Sequence, residues 1–420
     1  VQKGLFTEKE IDGALYNVLW TRFLLGLFDP AEKVPFSKIT IKDNDTPEHE
    51  ALALKMAEES IVLLKNDGGL PLNRSKIKRI AVIGPNADVA WMLDGNYNGH
   101  AARPETILNG IKQLAEPDIE APFAKGCPWA LHEDGSNKPG PESIDDTVAK
   151  AKAADAVIFV SGITARLEGE EMGGRTEFDG FLGGDRTKIE LPSVQTDLIQ
   201  ALAATGKPVI LVNCSGSAMA MPWEAKYLPA ILQAWYPGEQ GGRAVAEILF
   251  GDVNPSGRLP LTFYASTADL PAFTDYSMSN RTYRYYNGKP EFAFGHGLSY
   301  TKFKYSHGEL ESKNLSADGT AYISFTVKNT GQRDGDEVAQ VYFRHVNSSV
   351  PQPKLALCGF ARVHLKHGES SDVTVEIPAK HLRYWDTQQK QYVVEPGVYE
   401  FLIGAASDDI RLSLPLTITR

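Results

Sequence analysis

Apolar and polar positions change their rhythm three times along this chain. Near the start, Ile11, Leu15, Val18, Leu19 and Phe23 recur at helical spacing and predict an amphipathic helix. Thr7 and Glu10 stand ahead of it as a capping-box pair, and Gly26 stops the run. A second helix is expected from Thr46-Pro47, where proline suits the first turn, through the Ala- and Leu-rich stretch to Leu64. Four short, continuous apolar runs come next, at 80–84, 157–162, 209–213 and 231–235. Helical patterns separate them at 107–114, 143–153, 193–204 and 242–250. Unbroken apolar strands alternating with helices predict an α/β sandwich with a mostly parallel sheet covered on both faces, over about 70–265. From about 306 the period falls to two. Ile323-Ser-Phe-Thr-Val327 and Val338-Ala-Gln-Val-Tyr342 alternate strictly, and further runs lie at 373–377, 392–394, 398–403 and 412–418. Turn signals at Asn329-Thr-Gly331, His367-Gly368 and Pro396-Gly397 separate them, which predicts an all-β sandwich over 306–420.

Between these two patterns, 266–305 carries few helix signals and many rings, among them Phe273, Tyr276, Tyr283, Tyr286 and Phe294. It is too aromatic for a free linker and reads as a strap pinned to a surface by its rings. His296 within it reads as structural, and Tyr384 and Trp385 further on as core residues of the β-sandwich. The opening helix, within 1–30, needs a partner for its apolar face. Residues 31–69 read as a linker with a helix, leading into the α/β domain. Either the opening helix packs on that domain, or it closes a domain lying upstream.

Composition narrows the classes. With 42% apolar and 23% charged residues, the chain is neither disordered nor a coiled coil. No apolar run reaches the roughly 18 residues of a membrane span. Forty-three basic against 53 acidic residues leave a net charge of −10, which disfavours a broad nucleic-acid surface. Cys127, Cys214 and Cys358 lie far apart, in neither a disulfide framework nor zinc spacing, and Cys214 reads as a buried small hydrophobe. The histidines do not pair at ligand spacing, so no metal is expected. Neither G-x-G-x-x-G nor a Walker loop occurs, so no nucleotide cofactor is expected. Gly238-Glu-Gln-Gly-Gly242 opens a helix and suits a tight turn against the sheet better than an anion cradle. Ser215 has no evident His partner.

Ligands of open α/β sheets bind beyond the carboxyl ends of the strands. Of the loops expected there, the one from Ile163 to about Lys188 is long and glycine-rich. It gathers Glu168, Glu170 and Glu171 and then reaches Asp185-Arg186. Crowded carboxylates raise one another's pKa, and a carboxyl kept protonated near neutrality is what a general acid needs. A solvated acidic loop or a calcium site is the alternative at this point.

Several stretches, in order along almost the whole chain, resemble glycoside hydrolase family 3 of the β-xylosidase/β-glucosidase type. They include Glu59-Ser-Ile-Val-Leu-Leu-Lys-Asn66, Ala81-Val-Ile-Gly-Pro-Asn-Ala87, Gly95-Asn-Tyr-Asn-Gly99 and Gly184-Asp-Arg186. Trp235-Tyr-Pro-Gly-Glu-Gln-Gly-Gly242, Asn254-Pro-Ser-Gly-Arg-Leu-Pro260 and Phe294-Gly-His-Gly-Leu-Ser-Tyr300 continue the series. The resemblance implies an N-terminal (β/α)8-type barrel, an α/β sandwich and a fibronectin type III-like domain. The opening helix would be the barrel's last, and the rest of the barrel lies outside this sequence. It implies exo-acting, retaining hydrolysis of terminal β-linked sugars from an oligosaccharide or aryl glycoside, by two carboxyl groups about 5 Å apart. The barrel would bring an aspartate nucleophile, whose Ser-Asp-Trp-like signature is absent here. The acid/base glutamate maps onto Glu168-Gly169-Glu170 ahead of Asp185-Arg186, with Glu170 first, Glu168 second and Glu171 third. Asn96, Tyr97 and Trp91 are candidates to line a sugar cleft, since aromatic faces stack on pyranose rings. Arg186 is a candidate substrate contact, with an ion pair to Asp185 as the structural reading. The resemblance suggests a periplasmic or secreted setting. Two other classes stay open: a non-catalytic carbohydrate-binding or scaffold module, and a sugar or nucleotide sensor.

Overall fold

The capping-box pair forms as the sequence predicts. In the computed structural model, which describes residues 1–115, 117–131, 143–168, 177–183 and 185–419, Thr7 caps helix α1 (Glu8–Leu24). Its N–H and hydroxyl both donate to Glu10 at 2.8 Å, and Glu10 N–H returns a bond to Thr7 Oγ1 at 3.2 Å. The chain divides into two compact units, Val1–Leu52 and Ala53–Arg420. In the first, α1 buries none of its residues. Tyr16, Trp20 and Leu24 are exposed alongside Ile11, Leu15, Val18 and Phe23. The single apolar stripe expected of α1 therefore gives way to apolar groups around most of its surface.

The helix expected to reach Leu64 ends at Ser60 (α2, Pro47–Ser60), and Val62–Asn66 is a strand, β1. Ile61 through Leu64 are all but fully buried, and β1 pairs antiparallel with a strand far ahead in sequence. Tertiary pairing at a buried sheet edge outweighs the helical pattern running into it. The segment expected as linker thus contains the first strand of the sheet. After it come β2 (Ile80–Ile83), β3 (Phe123–Ala124) and β4 (Ala156–Gly162). A small antiparallel sheet is next, β5 (Glu177–Phe178), β6 (Phe181–Leu182) and β7 (Asp185–Arg186). β8 (Val209–Cys214) and β9 (Ala230–Gln233) complete the main sheet, whose order is β1-β9-β8-β4-β2-β3. All neighbours but β1 and β9 run parallel.

Both faces of this sheet are apolar, so period two is invisible in the sequence but sorts the strands cleanly. Val82, Ile158, Val160, Ile210 and Val212 pack under α3 (Ile107–Ala115) and α7 (Gly241–Phe250). Ile83, Val157, Phe159, Val209 and Leu211 pack under α4 (Ile144–Lys152) and α5 (Ser193–Ala203). A short α6 (Pro222–Tyr227) precedes β9.

The C-terminal part is a sandwich of two sheets, β10-β12-β15 and β11-β19-β18-β13-β14. Its strands are β10 (Phe303–Leu310), β11 (Asn314–Ser316), β12 (Thr320–Asn329), β13 (Gly335–Val346), β14 (Ala356–Leu365) and β15 (Ser370–Pro378). β18 (Gly397–Ala406) and β19 (Asp409–Thr419) come after the hairpin β16 (Tyr384–Asp386) and β17 (Gln391–Val393). Ile323, Phe325, Val341, Ile377, Phe401 and Ile403 fill the core between the sheets. Tyr384 and Trp385, expected in that core, sit instead on the hairpin, with Trp385 half exposed and edge-on to Tyr392.

The strap is pinned in part. Tyr283 stacks on Phe294 with ring centroids 4.1 Å apart and receives the Leu357 N–H on its hydroxyl. Phe273 and Tyr276, by contrast, are each 91% exposed, so these two rings pin nothing. At the end of the strap, Leu298 bridges to Leu63 of β1, and His296 Nε2 meets Leu64 O at 2.8 Å, the structural role expected of it.

Residues 254–260 lie at the joint between the two domains. Asn254 donates to Asp334 O and accepts from Ser299 Oγ and Tyr300 N–H. Arg258 donates to Glu337 at 2.6 Å, both side chains less than 10% exposed, and Tyr305 OH satisfies the other carboxylate oxygen. Arg362, on β14, reaches back to Ser256 Oγ.

Candidate active site

Four loops leave the carboxyl ends of β2, β4, β8 and β9, and buried amides hold them. Asn86, after β2, donates to Ser161 O at 2.9 Å and Ile163 O at 3.1 Å, and its Oδ1 takes the Trp129 indole N–H. Gln195 on α5 clamps Gly162 by both its N–H and its C=O. Gly162 ends β4 with φ +110°, and a Cβ there would lie 1.9 Å from Cys214 O. Only glycine lets the chain turn there beside β8. Asn213 donates to Gln233 Oε1 and to Ser215 Oγ, which ties the ends of β8 and β9 together. Ser215 is thereby spent on structure, and it donates to Ser217 O.

Past Gly162 the chain turns once, with Leu167 N–H and Glu168 N–H both donating to Thr164 O. That turn carries Glu168 over the ends of β8 and β9. Gly216 N–H donates to its Oε2 at 3.1 Å, the Tyr236 hydroxyl donates to the same oxygen, and the Ser217 hydroxyl donates to Oε1. A Cβ on Gly216 would stand 3.1 Å from Glu168 Oε2 and 3.0 Å from the Tyr236 ring, so glycine permits this close approach. Burial, and then the Glu168 charge, hold the Tyr236 hydroxyl protonated well above its usual range.

Arg186, on β7, donates through Nη1 to Ser217 Oγ at 2.8 Å and to Ala218 O at 2.7 Å. Its Nε and Nη2 are buried and lack a hydrogen-bond partner among the described residues. Burial pulls the guanidinium below its ordinary value, and the charge of Glu168 works against that pull. Arg186 is thus turned to the loop after β8, while Asp185 is exposed.

Of the other residues expected at a site, Glu170 and Glu171 lie outside the described residues. Asn96 and Tyr97 are on an exposed loop, Tyr97 with φ +55°. Trp91 packs edge-on to Trp129 with the Arg166 guanidinium 3.8 Å from its ring centroid, which is packing and not an open platform. The Gly242 N–H is taken by Glu105 O, in keeping with a tight turn. Cys214 is fully buried, and burial pushes its thiol up to about 12, as befits a small hydrophobe. Among the described residues no group of His, Cys, Asp or Glu gathers as a metal ion requires, and no helix is long and apolar enough to cross a membrane. Ser217 was not singled out by sequence, and Tyr236 entered only within the family-like stretch 235–242 on the expected rim. Their signal is positional: each comes after a buried strand on the carboxyl rim.

Comparison with known proteins bears on the family and the fold. Residues 61–300 match the model of the glycosyl hydrolase family 3 C-terminal domain, and residues 337–407 that of a fibronectin type III-like domain. A β-xylosidase of Formosa agariphila is 37% identical over 98% of this chain and 56% of its own length. A xylan 1,4-β-xylosidase of Xylanibacter ruminicola is 32% identical over the whole chain and 63% of its own length. The solved structure of a β-glucosidase from Erythrobacter marinus, 32% identical, superposes with a TM-score of 0.85 over all of this chain and 57% of its own. The chain therefore spans little more than half the length of the relatives it matches.

Proposed function

The chain belongs to glycosyl hydrolase family 3, and from that premise we propose that it supplies the general acid/base half of a retaining, exo-acting β-glycosidase. The substrate is a terminal, non-reducing β-linked sugar, xylose or glucose, of an oligosaccharide or aryl glycoside. The observation that carries the reading is the Glu168 carboxylate, presented over the carboxyl ends of β8 and β9 and fixed by three donors. A general acid must be aimed before its proton is of use. Glu168 has that aim; Glu170, placed first by the resemblance, lies outside the described residues. In this mechanism Glu168 protonates the leaving oxygen and then, as carboxylate, activates the water that releases the glycosyl group. The nucleophile comes from an N-terminal barrel, with α1 as that barrel's last helix. Without it, positioning and covalent catalysis are both missing, and the isolated chain turns over aryl glycosides only marginally.

The test uses the chain joined to its barrel. Glu168→Ala lowers hydrolysis of an aryl β-xyloside or β-glucoside by roughly 10²–10⁴-fold, and azide restores part of it. Azide-rescued loss in Glu170→Ala with normal turnover in Glu168→Ala moves the role to Glu170. Full activity in both variants overturns the assignment of the acidic segment.

A further inference from the structure

We propose that Ser217 and Arg186 form a positioning pair that aims the Glu168 carboxylate for proton transfer, a claim that rests on the acid/base reading above. The residues come from three separately folded places: the turn after β4, strand β7 and the loop after β8. Seventeen residues of chain separate Glu168 from Arg186, and Ser217 brings the two together.

The polarity of this contact is forced. A guanidinium has five N–H donors and no acceptor. Arg186 Nη1 can therefore only donate to Ser217 Oγ, which occupies a lone pair of that oxygen and leaves the hydroxyl hydrogen for Glu168 Oε1. The Ala218 carbonyl, bonded to the same Nη1, holds the fork in place. Nε and Nη2 are buried without hydrogen-bond partners among the described residues, where Glu168 and Glu190 are the carboxylates whose charge acts on the cation. Its charge acts on Glu168 through one hydroxyl, and hydrogen bonds chained in this way polarise one another. Donors to an ionised carboxyl favour that form, so loss of the Ser217 hydroxyl favours the protonated one.

Among the described residues, the charged and titratable groups about Glu168 are few. Tyr236 donates to it from the loop after β9, and buried Cys214 lies beneath Tyr236. Arg166, two residues earlier, is turned over Trp91, and Glu190 acts on Arg186 from elsewhere in the fold. None of these replaces the Ser217 contact with Oε1.

Two readouts test the pair. In the chain joined to its barrel, Ser217→Ala moves the alkaline limb of the kcat/KM profile up by about one pH unit, and Ser217→Thr restores it. Arg186→Lys keeps the charge but loses the planar fork, and moves the limb in the same direction by less. In the chain as it stands, carboxyl carbon NMR of Glu168, assigned with Glu168→Gln, shows the same upward movement of its titration midpoint in Ser217→Ala. An unmoved midpoint overturns the pair, whatever happens to turnover. A midpoint that moves while the activity limb stays put supports the pair and removes Glu168 from the acid/base role.

Discussion

Glu291 accepts the Met221 N–H at 2.8 Å through one oxygen, while the other is buried without a partner among the described residues. Burial pushes its carboxyl up to about 8; the Met221 bond opposes this and the Glu224 charge adds to it. Linkage gives the sign for stability. Below about 4.5 both folded and unfolded chains hold the proton, and nothing is lost. Between there and 8 the unfolded chain gives up its proton and the folded one does not, so stability falls as pH rises. Glu291→Gln keeps an acceptor for Met221 and cannot ionise. Its thermal midpoint should match the parent at about pH 4.5 and exceed it by roughly 5 °C at about pH 8. An equal difference at both pH values would place the effect elsewhere. At this scale the sequence spoke unevenly. Three glutamates in four residues stand out in any reading. Ser217 carries no motif, because its importance depends on which loops meet on the rim, and that depends on strand order. Arg186 was legible as a residue of interest but not in its partner, since Asp185 beside it in sequence is not beside it in function.

Strand β4 owes its end to one residue. A methyl group on Gly162 would sit inside the carbonyl of Cys214 and strain a left-handed backbone. Gly162→Ala should cost roughly 3 kcal/mol in urea unfolding, and the shifted turn should lower catalysis together with stability. An unchanged midpoint would mean that the β4–β8 rim yields more readily than its geometry suggests. The buried strands were readable because a sheet covered on both faces needs four or five apolar residues in a row. β1 escaped for the opposite reason: only Glu58-Glu59-Ser60, without glycine or proline, lies between the apolar positions of α2 and its own apolar run, and only its pairing with β9 declares it a strand. β3 is two residues long and offers no pattern. In β14, Cys358-Gly359 interrupts the alternation where the register against β13 shifts.

Across the molecule, the two domains share the buried Arg258–Glu337 pair, with Tyr305 on its far side. Removing one member leaves the other charged and uncompensated in the joint, which costs about 3–5 kcal/mol where such pairs are broken. Glu337→Ala should therefore split a single calorimetric unfolding transition of these domains into two; one undivided, unshifted transition would show that they are coupled by other contacts. The domain pattern was legible because its period changes from unbroken runs to alternation. The joint was not, although 254–260 belongs to the family-like series, because a motif names residues without saying whether they react or merely hold. The bridge between Leu63 and Leu298 has a wider meaning. It sets the beginning and the close of the α/β fold shoulder to shoulder, so both of its attachments to the polypeptide leave from one spot. A module tied in at one spot can be spliced into, or carried by, a different host sequence without its interior being rethreaded.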